Sequence, residues 1–171
     1  MKPEYGKVYT FTVRGEPVPK STMKPPRHKA AYHIVQNDSY YKPLKNTWDY
    51  QSLVGQCAAL DNIPTFRKDD PIQLSLHIFK SGRKTGDTKN ILASIEDGLQ
   101  HCTFIPNDRK IAGYGKVDTD YGVGKENARV EVSLQIYWQV RSIDWLIDYF
   151  GSKKKAQEYW DRVVKHKDRI E

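Results

Sequence analysis

Residues 72–100 read IQLSLHIFKSGRKTGDTKNILASIEDGLQ, and this stretch decides the fold. In its first seven residues Ile and Leu alternate with Gln, Ser and His, a period of two that predicts a strand with one buried face. A basic turn follows. From residue 88 to about residue 100 the apolar side chains recur at helical spacing, and Asp87 or Thr88 stands where the helix needs an N-cap. We therefore expect a strand, a turn and a helix that pack together.

Similar patterns extend the fold on both sides of this stretch. They predict a strand at residues 9–14, a helix at about 46–60 capped by Asn46 or Thr47, a short strand at about 110–117, and the clearest strand at 129–136. Asp118 and Asp120 stand beside a glycine-rich segment and are expected in a turn. Residues 1–140 should thus form an α+β core, a mostly antiparallel sheet with two helices near 46–60 and 88–100.

The last thirty residues have a different pattern. Trp145, Leu146, Tyr149 and Phe150 predict a short helix that ends at Gly151. Ser152 can cap a second helix whose apolar side includes Ala156, Tyr159 and Trp160. Residues 141–171 are therefore expected to form a helical hairpin added to the core.

Composition excludes several classes of protein. The chain has 171 residues, with 28 Lys and Arg against 21 Asp and Glu and a net charge of +7. No apolar run reaches the roughly 18 residues of a membrane span, and the first residues lack a secretory signal, so we expect no membrane partner and a cytoplasmic location. Cys57 and Cys102 show no zinc or redox spacing. The positive charge favours a polyanionic partner, nucleic acid first.

Basic residues cluster in three segments that lack a clear periodicity. The candidates for nucleic-acid binding are Lys20, Lys24 and Arg27 in the long loop between residues 17 and 43, Lys80, Arg83 and Lys84 in the turn before Asp87, and Arg109 and Lys110 after the second helix. Alternatively, the long loop is a solvent-exposed segment without a ligand, and its tyrosines pack on the core.

Two carboxylates stand at the ends of predicted elements, beside this basic charge. Asp87 closes the basic turn, and Asp108 lies on the loop before the next strand. If they meet at one rim, they could bind a hard cation such as Mg²⁺, which would activate water near a phosphodiester. Without further information, Asp87 as a helix cap and Asp108 as a turn residue explain the same sequence.

Several motifs resemble the RusA family of Holliday-junction resolvases, small dimeric Mg²⁺-dependent endonucleases common in phages. Residues 15–20, Gly-Glu-Pro-Val-Pro-Lys, are similar to the family opening G-x-P-x-P-K, and Pro26-Arg27 to the pair after it. The family signature D-x-D-N-L-x-K-x-x-x-D-A-L aligns with residues 87–99, and its D-D-x-Q-I loop with residues 107–111. The resemblance covers roughly residues 8–138.

The resemblance implies that Asp87, position 89 and Asp108 form the catalytic metal site, with Mg²⁺ or Mn²⁺ as the ion. Three positions depart from the family pattern: Lys89 replaces the second aspartate, Ala93 replaces a lysine, and Asn107 replaces the first acid of the loop. In an extended segment residues 87 and 89 would point the same way. The departures leave three possibilities open. Two carboxylates suffice to bind the ion, or Lys89 supplies the positive charge lost at Ala93, or the protein binds junctions without cutting them. Asp97 should lie about 15 Å along the helix from Asp87 and is expected to be structural.

The resemblance thus implies a Mg²⁺-dependent endonuclease that resolves Holliday junctions or other branched DNA in recombination and repair, in the cytoplasm of a bacterium or a phage-infected host. The enzyme would act as a homodimer, because a two-fold dimer presents one site to each of two opposed strands. The alternatives are a branched-DNA-binding protein of the same fold without nuclease activity and, more distantly, an adaptor that uses the core as a scaffold.

Overall fold

The computed structural model describes residues 3–4, 7–24, 38–68, 70–82, 87–107, 111–136 and 143–161. The strands are β1 (Tyr9–Arg14), β2 (Ile72–Lys80), β3 (Ile111–Tyr121) and β4 (Arg129–Ile136), and the helices are α1 (Lys42–Leu60), α2 (Thr88–His101), α3 (Ile143–Phe150) and α4 (Lys153–Tyr159). Short 3-10 turns precede α1 and β4.

The four strands form one mixed sheet in the order β1-β4-β2-β3. β4 is antiparallel to both β1 and β2, whereas β3 runs parallel to β2. A parallel neighbour requires a crossover, and α2 provides it between β2 and β3. The predicted α+β fold with a mostly antiparallel sheet and two core helices is confirmed.

One face of the sheet packs on α1 and α2 and forms the core. Alternate residues of β2 and β4 are buried, as the period of two predicts. Leu74, Ile78 and Val132 share a hydrophobic cluster with Val54 of α1 and Ile95 of α2. The polar residues between them, His77 among them, lie on the opposite face of the sheet.

The two core helices approach each other closely at glycines. A Cβ atom on Gly98 of α2 would lie 2.8 Å from the carbonyl oxygen of Gln51 and 2.9 Å from Cβ of Val54. Both distances are shorter than a van der Waals contact, so only glycine fits at this helix crossing. The side chain of Cys102 fills the corresponding space beside Gly55 of α1.

Two predicted boundaries were wrong. α1 begins at Lys42 rather than near residue 46, because the preceding 3-10 turn is capped by Asp38 and leads directly into the helix. β3 continues to Tyr121, so Asp118 and Asp120 are strand residues and not turn residues. They pair in register with His77 and Phe79 of β2, and this pairing extends the strand.

β3 is irregular along its first half. Its register against β2 shifts between Ile72 and Gln73 and again between Leu74 and Leu76. Gly115 and Lys116 lie at the second shift, and the side chain of Lys116 is 82% exposed. β3 is an edge strand, so this irregular region borders the sheet.

The C-terminal helices form the predicted hairpin. Gly151 has a φ of +61°, the left-handed conformation that ends a helix, and the hydroxyl of Ser152 caps α4 by accepting a hydrogen bond from the Lys155 amide. Leu146, Ala156 and Tyr159 form a small hydrophobic cluster of their own. Among the described residues, no helix is both long and apolar enough to cross a membrane.

The helix crossing makes a testable prediction about Gly98. Replacement of a helical glycine by alanine normally stabilises by up to about 1 kcal/mol. We expect Gly98→Ala to lower the free energy of unfolding by about 1–3 kcal/mol instead, because the new methyl group overpacks against a backbone carbonyl. Urea denaturation measures the difference. A stabilised variant would show that the helices are not in close contact at this position.

Candidate functional site

A cleft of about 450 Å³ opens where the N-terminal ends of α1 and α2 meet the segment after β1. It is lined by Val18, Pro19, Lys20, Ser21, Thr22, Pro43, Asn46, Asp87 and Asn90. The lining combines two prolines with amide, hydroxyl and carboxylate groups and with part of Lys20. It also joins two separate motifs of the sequence, the Pro-Val-Pro-Lys segment and the start of α2.

Hydrogen bonds fix residues 18–21 against both helices. The Lys20 amide donates to the carbonyl of Asn90 at 2.8 Å, and the Ser21 amide donates to the hydroxyl of Thr47 at 3.0 Å. This hydroxyl is buried and lies 3.3 Å from the carbonyl oxygen of Pro19 and 3.0 Å from that of Pro43. Thr47, expected as a possible helix cap, instead links this segment to α1.

Asp87, one of the two predicted candidates, is the N-cap of α2. Oδ1 accepts a hydrogen bond from the Asn90 amide at 3.2 Å, and Oδ2 accepts one from the Asn90 side chain at 2.7 Å. Each carboxylate oxygen can accept a further interaction, and the residue is exposed at the cleft. A carboxylate with neighbouring amide and hydroxyl oxygens is a donor set that fits a hard cation such as Mg²⁺.

Lys89 lies in the first turn of α2 and not in an extended segment. Residues two apart on a helix point to different sides, so the side-by-side arrangement expected for positions 87 and 89 is wrong. The side chain of Lys89 is exposed and does not line the cleft that Asp87 and Asn90 line.

Asp108 lies outside the described residues, and so do Arg109 and Lys110. Ile111, the next described residue, pairs with Ile72 at the start of β2. Asp87 lies at the other end of this strand pair, because the hydroxyl of its neighbour Thr88 is 3.3 Å from that of Thr119. Thr119 pairs with Ile78, six residues along β2 from Ile72, which is about 20 Å at strand spacing.

Three of the eight predicted DNA-binding cations are described. Lys20 lines the cleft, Lys24 is exposed beyond it, and Lys80 is half-buried at the end of β2. Arg27, Arg83, Lys84, Arg109 and Lys110 lie outside the described residues. The structure therefore brings one predicted cation, Lys20, and one predicted metal ligand, Asp87, to the same cleft.

The outer face of the sheet carries a second group of charged residues. Nε2 of His77 lies 2.9 Å from Oδ2 of Asp120. Lys116 donates a hydrogen bond to the carboxylate of Asp118 and forms an ion pair with it. The hydrogen bond and the negative charge of Asp118 both favour the charged lysine and raise the pKa of Lys116. Within the described ranges no three His, Cys, Asp or Glu side chains are arranged to hold a metal ion. The acids of this face are thus matched by basic partners.

Sequence reasoning missed the roles of two polar residues of α1. The side-chain amide of Gln51 donates to Oδ2 of Asp97 at 3.0 Å, and Asn46, expected as a possible helix cap, lines the cleft instead. Both residues lie at polar positions of a helix, where the sequence gives no signal of their partners. Asp97 also forms an ion pair with Lys20, whose Nζ lies 2.8 Å from Oδ2.

No protein-family model and no curated protein sequence matches this chain.

The capping role of Asp87 can be separated from its charge. We expect Asp87→Ala to lower the free energy of unfolding by about 1 kcal/mol, because the cap of α2 is lost. Asp87→Asn should stay within about 0.5 kcal/mol of the natural protein, since asparagine caps equally well. Thermal or urea denaturation gives both values. Lys89→Ala, in the same helical turn, is the control and should change the free energy of unfolding little. Equal stability of all three variants would contradict a capping role for Asp87.

Proposed function

We propose that this protein is a Mg²⁺-dependent endonuclease that cuts Holliday junctions or related branched DNA. The observation that carries the proposal is the cleft in which Asp87, Asn90 and Lys20 converge. Two segments that resemble the RusA family, far apart in sequence, meet there, joined by the hydrogen bond from Lys20 to Asn90. The net charge of +7 supports a nucleic-acid partner.

In this proposal Asp87 and Asp108 hold the metal ion. Bound Mg²⁺ would polarise the scissile phosphate and lower the pKa of an attacking water. Asn90 keeps the carboxylate of Asp87 in one orientation through its two hydrogen bonds. Lys89, exposed in the first turn of α2, provides positive charge for the DNA backbone.

Asp87 lies at the end of the β2–β3 pair that carries Thr119. We propose that the functional unit is a homodimer with two metal sites, each held by an Asp87 and an Asp108. Two such sites would serve the two opposed strands of a junction.

The alternative function is binding of branched DNA without cleavage. One observation favours it: both oxygens of Asp87 already accept hydrogen bonds inside the helix cap. Lys89 also places a cation where the family pattern has an acid. In this case the same cleft and cations would hold the junction, but no strand would be cut.

The proposed dimeric site makes a distinctive prediction. Asp87→Asn and Asp108→Asn should each reduce cleavage of a synthetic four-way junction by at least about 100-fold, because each removes a ligand from both sites. An equal mixture of the two variants, allowed to exchange subunits, shows how the acids are distributed: nicking returns if Asp87 of one protomer acts with Asp108 of the partner subunit, and the mixture stays inactive if each protomer supplies both acids. Gel assays with Mg²⁺ and with Mn²⁺ measure this.

The same assay distinguishes the alternatives. A mixture that stays inactive, although mixed dimers form, would contradict a site shared between subunits. Clean natural protein that binds junctions but never cuts them would support the binding function. Lys68→Gln, on the loop before β2, is a suitable charge control and should cut like the natural protein.

Lys89 supplies a separate prediction. If its charge contacts the DNA backbone, Lys89→Asp should weaken junction binding and lower cleavage, because a favourable charge becomes a repulsive one. Lys89→Arg should retain both. Increased cleavage by Lys89→Asp would instead show that the natural lysine stands in the place of a lost metal ligand.

A further inference from the structure

Lys20 bridges two turns of α2. Its backbone amide donates to the carbonyl of Asn90, and its ammonium nitrogen lies 2.8 Å from Oδ2 of Asp97. The same carboxylate oxygen accepts the side-chain amide of Gln51 from α1. Gln51 of α1 therefore holds the carboxylate of Asp97, and this carboxylate in turn orients the side chain of Lys20.

The path of this lysine along α2 passes position 93. Residues 90, 93 and 97 are spaced three and four apart, so they lie on one face of the helix. The lysine begins beside Asn90 and ends at Asp97, and the small side chain of Ala93 stands between them. A long side chain at position 93 would compete for the space that Lys20 now uses.

The ion pair leaves Lys20 available to a ligand. Its side chain is 47% exposed, whereas that of Asp97 is 28% exposed. An ammonium group has three N–H donors, and the bond to Asp97 takes one of them. Because Asp97 limits the rotamers of the lysine in advance, less entropy is lost when the ammonium group meets an anion.

We propose that Lys20 contacts a DNA phosphate beside the cleft and that Asp97, held by Gln51, positions it, so that Lys20 supplies the positive charge that Ala93 does not. The inference rests on the proposed nucleic-acid function. Lys20 is the binding residue, and Asp97 is a positioning residue that acts through Lys20. The ligand is the sugar-phosphate backbone, so this contact is independent of base sequence.

The test is the salt dependence of junction binding, measured by fluorescence anisotropy between about 50 and 200 mM salt in EDTA, where no strand is cut. Each neutralised phosphate contributes about 0.9 to the slope of log affinity against log salt. We expect Lys20→Gln to reduce that slope by about one and Lys20→Arg to preserve it. Lys45→Gln is the matched control, because Lys45 makes a similar exposed pair with Asp49 on α1, at 3.1 Å.

Asp97→Asn gives the second readout. Loss of an acid near DNA would by itself strengthen binding, because repulsion is removed. If Asp97 positions Lys20, the variant should bind several-fold more weakly with an unchanged slope and with unfolding stability near that of the natural protein. Tighter binding by Asp97→Asn would overturn the positioning role.

The outcomes separate this inference from the proposed nuclease function. A slope that does not change in Lys20→Gln, in a protein that cuts junctions, would overturn the inference alone. A slope that falls in Lys20→Gln, in a protein that binds but never cuts, would support the inference and remove the nuclease. Absence of DNA binding by the natural protein would overturn both.

Discussion

The parallel pairing of β2 with β3 is the constraint on which the arrangement of the molecule depends. It obliges the chain to return across the sheet, and α2 makes that return between residues 88 and 101. Everything at the start of α2, including Asp87, therefore lies at one end of the strands, and the start of β3 lies at the other.

The same crossover brings the cleft together. α2 lies against α1 closely enough that Gly98 leaves no room for a methyl group. This contact aligns the beginnings of the two helices, so that Asn46 and Asn90 face a common space. Residues 18–21 then close one wall through Thr47, and Lys20 extends along α2 to Asp97. Helix packing, hydrogen bonds and one ion pair thus together fix the positions of the segments that form the cleft.

The sequence predicted local features well where a single chemical rule dominates. Alternation identified β2 and β4, and the caps at Asp87 and Ser152 were found because short polar side chains satisfy helix N-terminal amides. Prediction from the sequence failed where tertiary pairing determines the secondary structure. Asp118 and Asp120 belong to a strand because they pair with residues of β2. The geometry expected for Lys89 failed because the helix begins one residue before it. The bond between Gln51 and Asp97 could not be foreseen, since nothing local distinguishes either residue.

The shifted register of β3 has a consequence for the behaviour of the protein at high concentration. Regular edge strands present an unpaired row of amides and carbonyls that can template aggregation. β3 interrupts this row near Gly115 and projects the exposed charge of Lys116. This irregular, charged border is therefore a poor template for uncontrolled polymerisation.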